Sequence, residues 1–402
     1  MSEGPIMTIY GEKNTAITGL GQSAIYRKPQ VLPFELAVQA CEMAIADAGL
    51  RPEDIDGVSC WPNVQRGTVA GSGAAAISDI VNTLGLKPNW WSGAENAAQL
   101  SPIMEAVAAI SAGYATHVLC WRALGERWTP SYGSAAADAG QTLAMTSGWL
   151  EYLMPFNAPS AAIWVAVHAS AHMDRHGITR EQMSAIPIVQ RANAGLNPKA
   201  IYRDPITLDD YMASRIITTP FCLLDCDVPC DGTTAVIVSR LDAARDLKQK
   251  PVIIEAVGAG SYDRMDTWVS RHDFPRMAMH DATKMMWSRT DLKPADIDTA
   301  HLYDGFTWLT MSWLEALGVC GEGESGAFIE GGQRISLTGD LPINTNGGQL
   351  SEGRMHGFGH LHEAVLQLRG QAGARQVADV KVSAVGNGGG NFGGALLLRQ
   401  DG

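Results

Sequence analysis

The feature that most constrains this chain is a repeat. Leu50-Arg-Pro52-Glu-Asp54-Ile55-Asp56 returns as Leu292-Lys-Pro294-Ala-Asp296-Ile297-Asp298, an offset of 292 − 50 = 242 that also aligns Ala40 with Ala282 and Met43 with Met285. A second match, Met104-Glu105-Ala106-Val107 with His362-Glu363-Ala364-Val365, has an offset of 363 − 105 = 258. In the first match a helix-like segment runs through a Leu-x-Pro turn into a short apolar strand. In the second, an apolar helix and a glycine precede strands at 116–121 and 380–385. One widely spaced pair of such units predicts two related α/β halves, each with a mixed sheet, and excludes a solenoid.

Composition narrows the class. Of 402 residues, 46% are hydrophobic and 18% charged, enough to build a large core. The net charge of −12 and the absence of a Lys/Arg run argue against a nucleic-acid role. The opening Met-Ser-Glu-Gly-Pro-Ile has no basic-then-apolar leader pattern, and no apolar run reaches the roughly 20 residues of a membrane helix. Seven cysteines, mostly in apolar segments, fit reduced thiols in a cytoplasmic protein.

Along the chain, spacing predicts a helix over 32–49 ending at Gly49, a strand over 55–61 and a helix within 70–84. Ser101–Gly113, rich in alanine, reads as a helix buried all round, followed by a buried strand over 115–121. Residues 122–215 have no counterpart in the second half and read as an inserted loop domain, with Trp128, Trp149, Tyr152, Trp164 and a helix over 161–176. The halves are then 1–245 and 246–402, the second ending in strand, glycine loop and strand.

Several motifs invite chemical readings. His168, His172 and His176 share a helical stripe, and Cys222, Cys226 and Cys230 are evenly spaced; neither has the company of a known zinc class, so satisfied or buried side chains explain them better. The loop over 386–394 lacks the features of a P-loop or Rossmann turn; its glycines suit close backbone approach to a ligand or positive φ. Tyr303 and Asp304 end a buried strand, as a core tyrosine with a capping aspartate or as functional groups. The segment from Asn346 to His360 gathers Arg354, His356, His360 and glycines ahead of a buried helix, a setting suited to an oxyanion or thioester.

Together these features resemble the thiolase superfamily over essentially the whole chain, in its lipid-transfer, sterol-carrier-protein-type branch. Asp231-Gly-Thr-Thr-Ala resembles that family's D-G-A-A-A, Tyr303-Asp-Gly-Phe stands at its N-E-A-F or H-D-C-F, Gly347-Gly348…Gly353-Arg354-Met355 at its G-G…G-H-P, and Gly388-Gly-Gly at its last glycine loop. The resemblance implies an α/β thiolase fold, with duplicated halves in a five-layer αβαβα core. The departures redirect the chemistry. Asn96 falls at the position of the nucleophilic cysteine, Arg354 replaces the histidine, and Val385-Gly386-Asn387 lacks the second cysteine. Without a thiolate no acyl-enzyme forms.

The chain looks most like the steroid side-chain aldolases, which lack those residues and cleave 3-hydroxyacyl-CoA to a ketone and a shorter acyl-CoA. This implies Tyr303 as a catalytic group, with Arg354 where such enzymes carry a second tyrosine. His356 and Asp304 join them, and Asn96, His360, Gly388 and Gly389 are expected to contact substrate. It also implies a homodimer, a small OB-fold/zinc-ribbon partner that completes the acyl-CoA site, no cofactor or metal in this chain, and zinc only in the partner. The alternatives are a non-catalytic acyl-CoA or sterol carrier or scaffold, and an acyltransferase.

Overall fold

A computed structural model describes residues 10–28, 30–61, 75–93, 98–125, 150–158, 160–261 and 271–401. Its main sheet has nine strands: β1 Thr15–Gln22, β2 Gly57–Cys60, β3 Trp90–Ser92, β4 His117–Gly125, β7 Asp231–Arg240, β8 Val252–Ser261, β9 Thr299–Leu302, β10 Val382–Gly388 and β11 Phe392–Gln400. The order is β3-β2-β4-β7-β1-β8-β11-β10-β9. The strands β5 Ile216–Thr218 and β6 Phe221–Cys222 pair separately.

The repeat is visible in this order. The series β2-β4-β7-β1 is answered by β9-β10-β11-β8, with β2 parallel to β4 and β9 parallel to β10. The halves meet where β1 and β8 run antiparallel, through Ala16–Ile253 and Ile17–Val252.

The repeated Pro-x-Asp-Ile-Asp has a physical job that is the same in both halves. Asp54 and Asp296 accept the backbone N–H of Arg51 and Lys293, at 2.9 and 2.7 Å, and so cap their 3₁₀ turns. Asp56 accepts from the amides of Thr116 and His117 at the start of β4; Asp298 accepts from Lys381 and Val382 at the start of β10. Each carboxylate thus fixes where the neighbouring parallel strand begins.

Side-chain alternation along the strands divides the core into layers. Ala235 and Ile237 of β7 pack against helix α1 (Pro33–Ala48), while Val236 and Val238 face the opposite way. That inner layer holds helices α3 (Ser101–Ser111) and α8 (Phe358–Arg369), packed between residues of both half-sheets. On the far side, Ala395 and Leu397 of β11 pack against α5 (Met279–Trp287) and α6 (Thr307–Leu317). Helix, sheet, helix, sheet, helix: the five-layer αβαβα expectation holds. The short α2 (Ile77–Leu84) lies beside α1, and α4 (Ala161–His176) joins the core cluster of α5 and α6.

Two local expectations change. Helix α3 is not buried all round, for Ala108 and Ser111 are exposed; alanine is indifferent to burial, so its abundance did not report the helix's environment. Strand β4 runs on to Gly125, four residues past the expected end. The three evenly spaced cysteines do not share one strand, because a 3₁₀ turn over Leu223–Asp225 separates Cys222 from Cys226. Among the described residues no helix is long and apolar enough to cross a membrane.

Replacing Asp56 or Asp298 by alanine strips two strand-initiating amides of a charged acceptor. Each change is expected to cost about 1–3 kcal/mol, read as a lowered urea midpoint. An unmoved midpoint in both variants would show that the strand starts are held by other contacts.

Candidate active site

The strand ends and helix starts of the inner layer converge on one polar cluster. Tyr303 follows β9, and its backbone N–H donates to the Gly386 carbonyl at 2.8 Å. Its side chain is 9% exposed. Gly305 makes room for the ring, since a Cβ there would stand 2.7 Å from it. His356 lies on the turn into α8, with its ring centroid 6.1 Å from that of Tyr303. The histidine backbone is at φ 51°, a left-handed conformation that non-glycine residues adopt at a cost.

Around His356 the contacts are polar. Arg122 Nη2 lies 2.7 Å from its Nδ1, and Gln99 Nε2 lies 3.1 Å from its Nε2. Trp61 packs tilted against it at 5.4 Å, with the Arg122 guanidinium 4.6 Å from the Trp61 ring. Burial, then the charges of Arg122 and Arg354, push the His356 pKa well below the usual imidazole range. Asn387, at the end of β10, is fully buried, and neither carboxamide atom has a hydrogen-bond partner among the described residues. Its amide lies where a Cβ on Gly357 would stand, only 2.1 Å from Oδ1.

The remaining expected residues divide into separate groups. Arg354 anchors its amide on the Val228 carbonyl at 2.8 Å, and its Nε is 3.6 Å from Asp227 Oδ2. Asp304 is fully buried and accepts the amides of Gln349 and Leu350 in the short helix α7 (Gly348–Ser351). His360 Nε2 is 3.0 Å from Asp304 Oδ1, at ion-pair distance but outside hydrogen-bond angles. This buried pair ties α7 and α8 to the end of β9. The Gly388 carbonyl accepts from Trp313 Nε1 at 3.0 Å, and Gly389 has φ 154°. Asn96 lies outside the described residues.

The two metal-like patterns are absorbed into packing. Trp308 Nε1 donates to His172 Nδ1, whose Nε2 meets Glu315, and His168 Nδ1 meets the Pro275 carbonyl. Cys226 Sγ donates to the Cys222 carbonyl. No group of three or more His, Cys, Asp or Glu that could hold a metal ion occurs among the described residues.

Comparison with known proteins gives the family. Residues 260–397 match the thiolase C-terminal domain-like family. The chain is 36% identical to the 17-hydroxy-3-oxo-4-pregnene-20-carboxyl-CoA lyase of Mycobacterium tuberculosis over 361 residues, 88% of this chain and 91% of the relative. It is 35% identical to the steroid side-chain-cleaving aldolase of Thermomonospora curvata over 392 residues, 96% of this chain and 98% of that one. The chain belongs to the steroid side-chain-cleaving aldolase branch of the thiolase superfamily. A solved structure of this branch, the "Ltp2-ChsH2(DUF35) aldolase", superposes with a TM-score of 0.85 at 33% identity, covering 98% of this chain and 99% of that one.

Sequence reasoning missed three residues of this polar cluster: Arg122, Gln99 and Asn387. Arg122 carried a legible signal. Val118, Cys120 and Arg122 alternate on one face of β4, so a charge interrupts an apolar face in mid-strand. Gln99 and Asn387 carried none, because their partners lie far away in sequence.

Next to this cluster the site loop buries Glu352, which accepts from Asn197 and Asn346 side chains. Desolvation first, then the nearby Glu363, pushes its pKa up to about 8. A free glutamate ionises near ~4.3. The folded pKa is therefore the higher one, and this group's stabilising contribution is full below the unfolded value and lost as pH rises from about 4.3 to about 8. Glu352→Gln removes the titration at a fixed cost from one mismatched amide. The melting temperature of the variant relative to wild type should therefore rise with pH across that window; a constant difference would mean that Glu352 does not titrate there.

Proposed function

We propose that this chain is a carbon–carbon lyase that cleaves a 3-hydroxyacyl-CoA, of the steroid side-chain class, into a ketone and a shorter acyl-CoA by a retro-aldol step. The observation that carries this reading is the buried cluster of Tyr303, His356 and the unpartnered Asn387, joined to kinship with a named lyase and a named aldolase. Buried polar atoms without partners are costly in a resting protein, and a ligand that supplies the missing bonds recovers that cost.

Tyr303, as phenolate, takes the proton of the β-hydroxyl. The O–H electron pair becomes the new C=O bond, the Cα–Cβ pair passes into the acyl-CoA as an enolate, and Cα then takes a proton from a water that recovers one from the Tyr303 phenol. Neutral His356 and the Asn387 amide donate to the enolate oxygen, the role of an oxyanion hole. Asp304 and His360 hold α7 and α8 in place, and the loop at Gly388 and Gly389 borders the acyl group.

Thiolase chemistry lacks its nucleophile. Burial pushes the Cys60 and Cys320 thiols up to about 12 and Cys120 well above its ordinary value, so these remain protonated at neutral pH. No cofactor or metal in this chain enters the step. The named structural neighbour is an assembly with a DUF35 chain. That kinship supports a small partner protein for this chain; from the family resemblance we further propose a homodimer whose partner is an OB-fold/zinc-ribbon chain that completes the acyl-CoA site and holds any zinc.

The test supplies a 3-hydroxyacyl-CoA with a tertiary β-carbon and no free CoA, to protein co-expressed with such a partner. Mass spectrometry should find a shorter acyl-CoA and a ketone. Tyr303→Phe should lower kcat by about 10²–10⁴-fold while fold and acyl-CoA binding persist. Tight binding of the intact thioester without products would favour a carrier, and turnover that requires added CoA would favour an acyltransferase.

A further inference from the structure

We infer that Arg122 is a positioning residue that locks His356 in the tautomer carrying its hydrogen on Nε2, making His356 a permanent hydrogen-bond donor with no part in proton transfer. What that donor faces rests on the retro-aldol reading above; the lock itself does not.

Val118 and Cys120 pack into the inner layer, and Arg122 continues the same face of β4, 1% exposed. One guanidinium nitrogen, Nη1, donates to the Trp61 carbonyl at 3.1 Å while the group stacks over the indole. The other, Nη2, stands 2.7 Å from His356 Nδ1. A guanidinium has only N–H donors and stays charged at any working pH. Its neighbour at that distance must be an acceptor, so Nδ1 bears no hydrogen and the ring's single hydrogen sits on Nε2.

Gln99 agrees once its amide is oriented by chemistry. As placed, its NH₂ faces Nε2 at 3.1 Å, donor against donor, while its buried Oε1 has no partner. Exchanging the two amide atoms puts Oε1 opposite the Nε2 hydrogen as its acceptor and turns the NH₂ to the other side. In the free protein Gln99 holds the donor, and a bound acyl oxygen displaces it.

Among the described residues, the charged groups acting on His356 are Arg122 from β4 and Arg354 from the preceding turn, with Tyr303 beyond β9, and its neutral neighbours include Trp61 and Gln99. An imidazolium here would be a third cation beside two guanidiniums. His356 therefore neither accepts the hydroxyl proton nor returns one to Cα, and those transfers belong to Tyr303 and water.

The experiment is two-bond ¹H–¹⁵N NMR of the full-length chain labelled with ¹⁵N-histidine, with His356 assigned from the spectrum that His356→Gln lacks. The expected result is an Nε2-protonated pattern, unchanged over roughly pH 5.5 to 8.5. In Arg122→Met, with no cation left to fix Nδ1 as the acceptor, the ring should lose this single pattern and show a mixture of the two tautomers; an unchanged Nε2-protonated pattern in that variant would also overturn the inference. In Arg122→Lys, which keeps a cation and one donor, the wild-type pattern should largely return. A wild-type His356 that titrates there or carries its hydrogen on Nδ1 overturns the inference. If Arg122→Met does not fold, the wild-type and Arg122→Lys spectra decide. All are spectra of the unliganded protein, so absence of aldolase activity would leave this result standing.

Discussion

Everything in this molecule depends on two helices being held between two half-sheets. α3 and α8 occupy the inner layer, and side chains from both halves close over them. A layer covered on both faces has little access to water, so every polar group entering it must bring its own partner or wait for one. Arg375 answers Glu363 on α8 with a two-pronged contact, at 2.8 and 3.1 Å, and Gln367 joins the same network. Those pairings let a helix carrying charged residues be buried along most of its length. The same enclosure, at the helix starts, turns ordinary side chains into a reactive site.

The duplication explains why the site lies where it does. Equivalent helices of the two halves enter the inner layer side by side, so α8 begins beside the turn that precedes α3. Gln99 belongs to that turn and His356 to the α8 entry, and they touch across 257 residues of sequence. Tyr303 joins them because β9 ends at the same level, pinned to β10 by its backbone bond to Gly386. The Asp56 and Asp298 caps act at the opposite ends of these parallel strands and set the register from which the site ends are measured.

This division decides what the sequence could reveal. Asp56, Asp298 and the Pro turns act on backbone groups through short connections, so their repetition announced the paired halves and the order of their elements. The glycine loops and Tyr303-Asp-Gly-Phe identified the branch. Helix α3 misled because alanine fits exposed and buried surfaces alike, whereas Cys222 and Cys230 are buried as their apolar surroundings predicted. Asn387 became meaningful only with Gly357 against it, a contact between segments that fold together from different elements. Arg122 lies between these cases: its strand pattern marked it as a buried charge, but only three-dimensional packing supplied Trp61 and His356 as its partners.

The loss of the thiolase nucleophile reads as a consistent change in what the enclosure stabilises. An acyl-transferring site must hold a thiolate and move protons to and from it, which favours titratable groups near neutrality. Here the pattern is the reverse. His356 is driven well below the usual imidazole range, His301, buried nearby on β9, is pushed down to about 3, and the buried thiols are pushed up. Such groups keep one charge state across ordinary pH. A bond cleavage that releases an enolate needs fixed donors in front of a developing oxyanion and a single group to take the hydroxyl proton. A dry layer with neutral donors and one phenol at its edge fits that demand, because burial holds the His356 and His301 rings uncharged beside it.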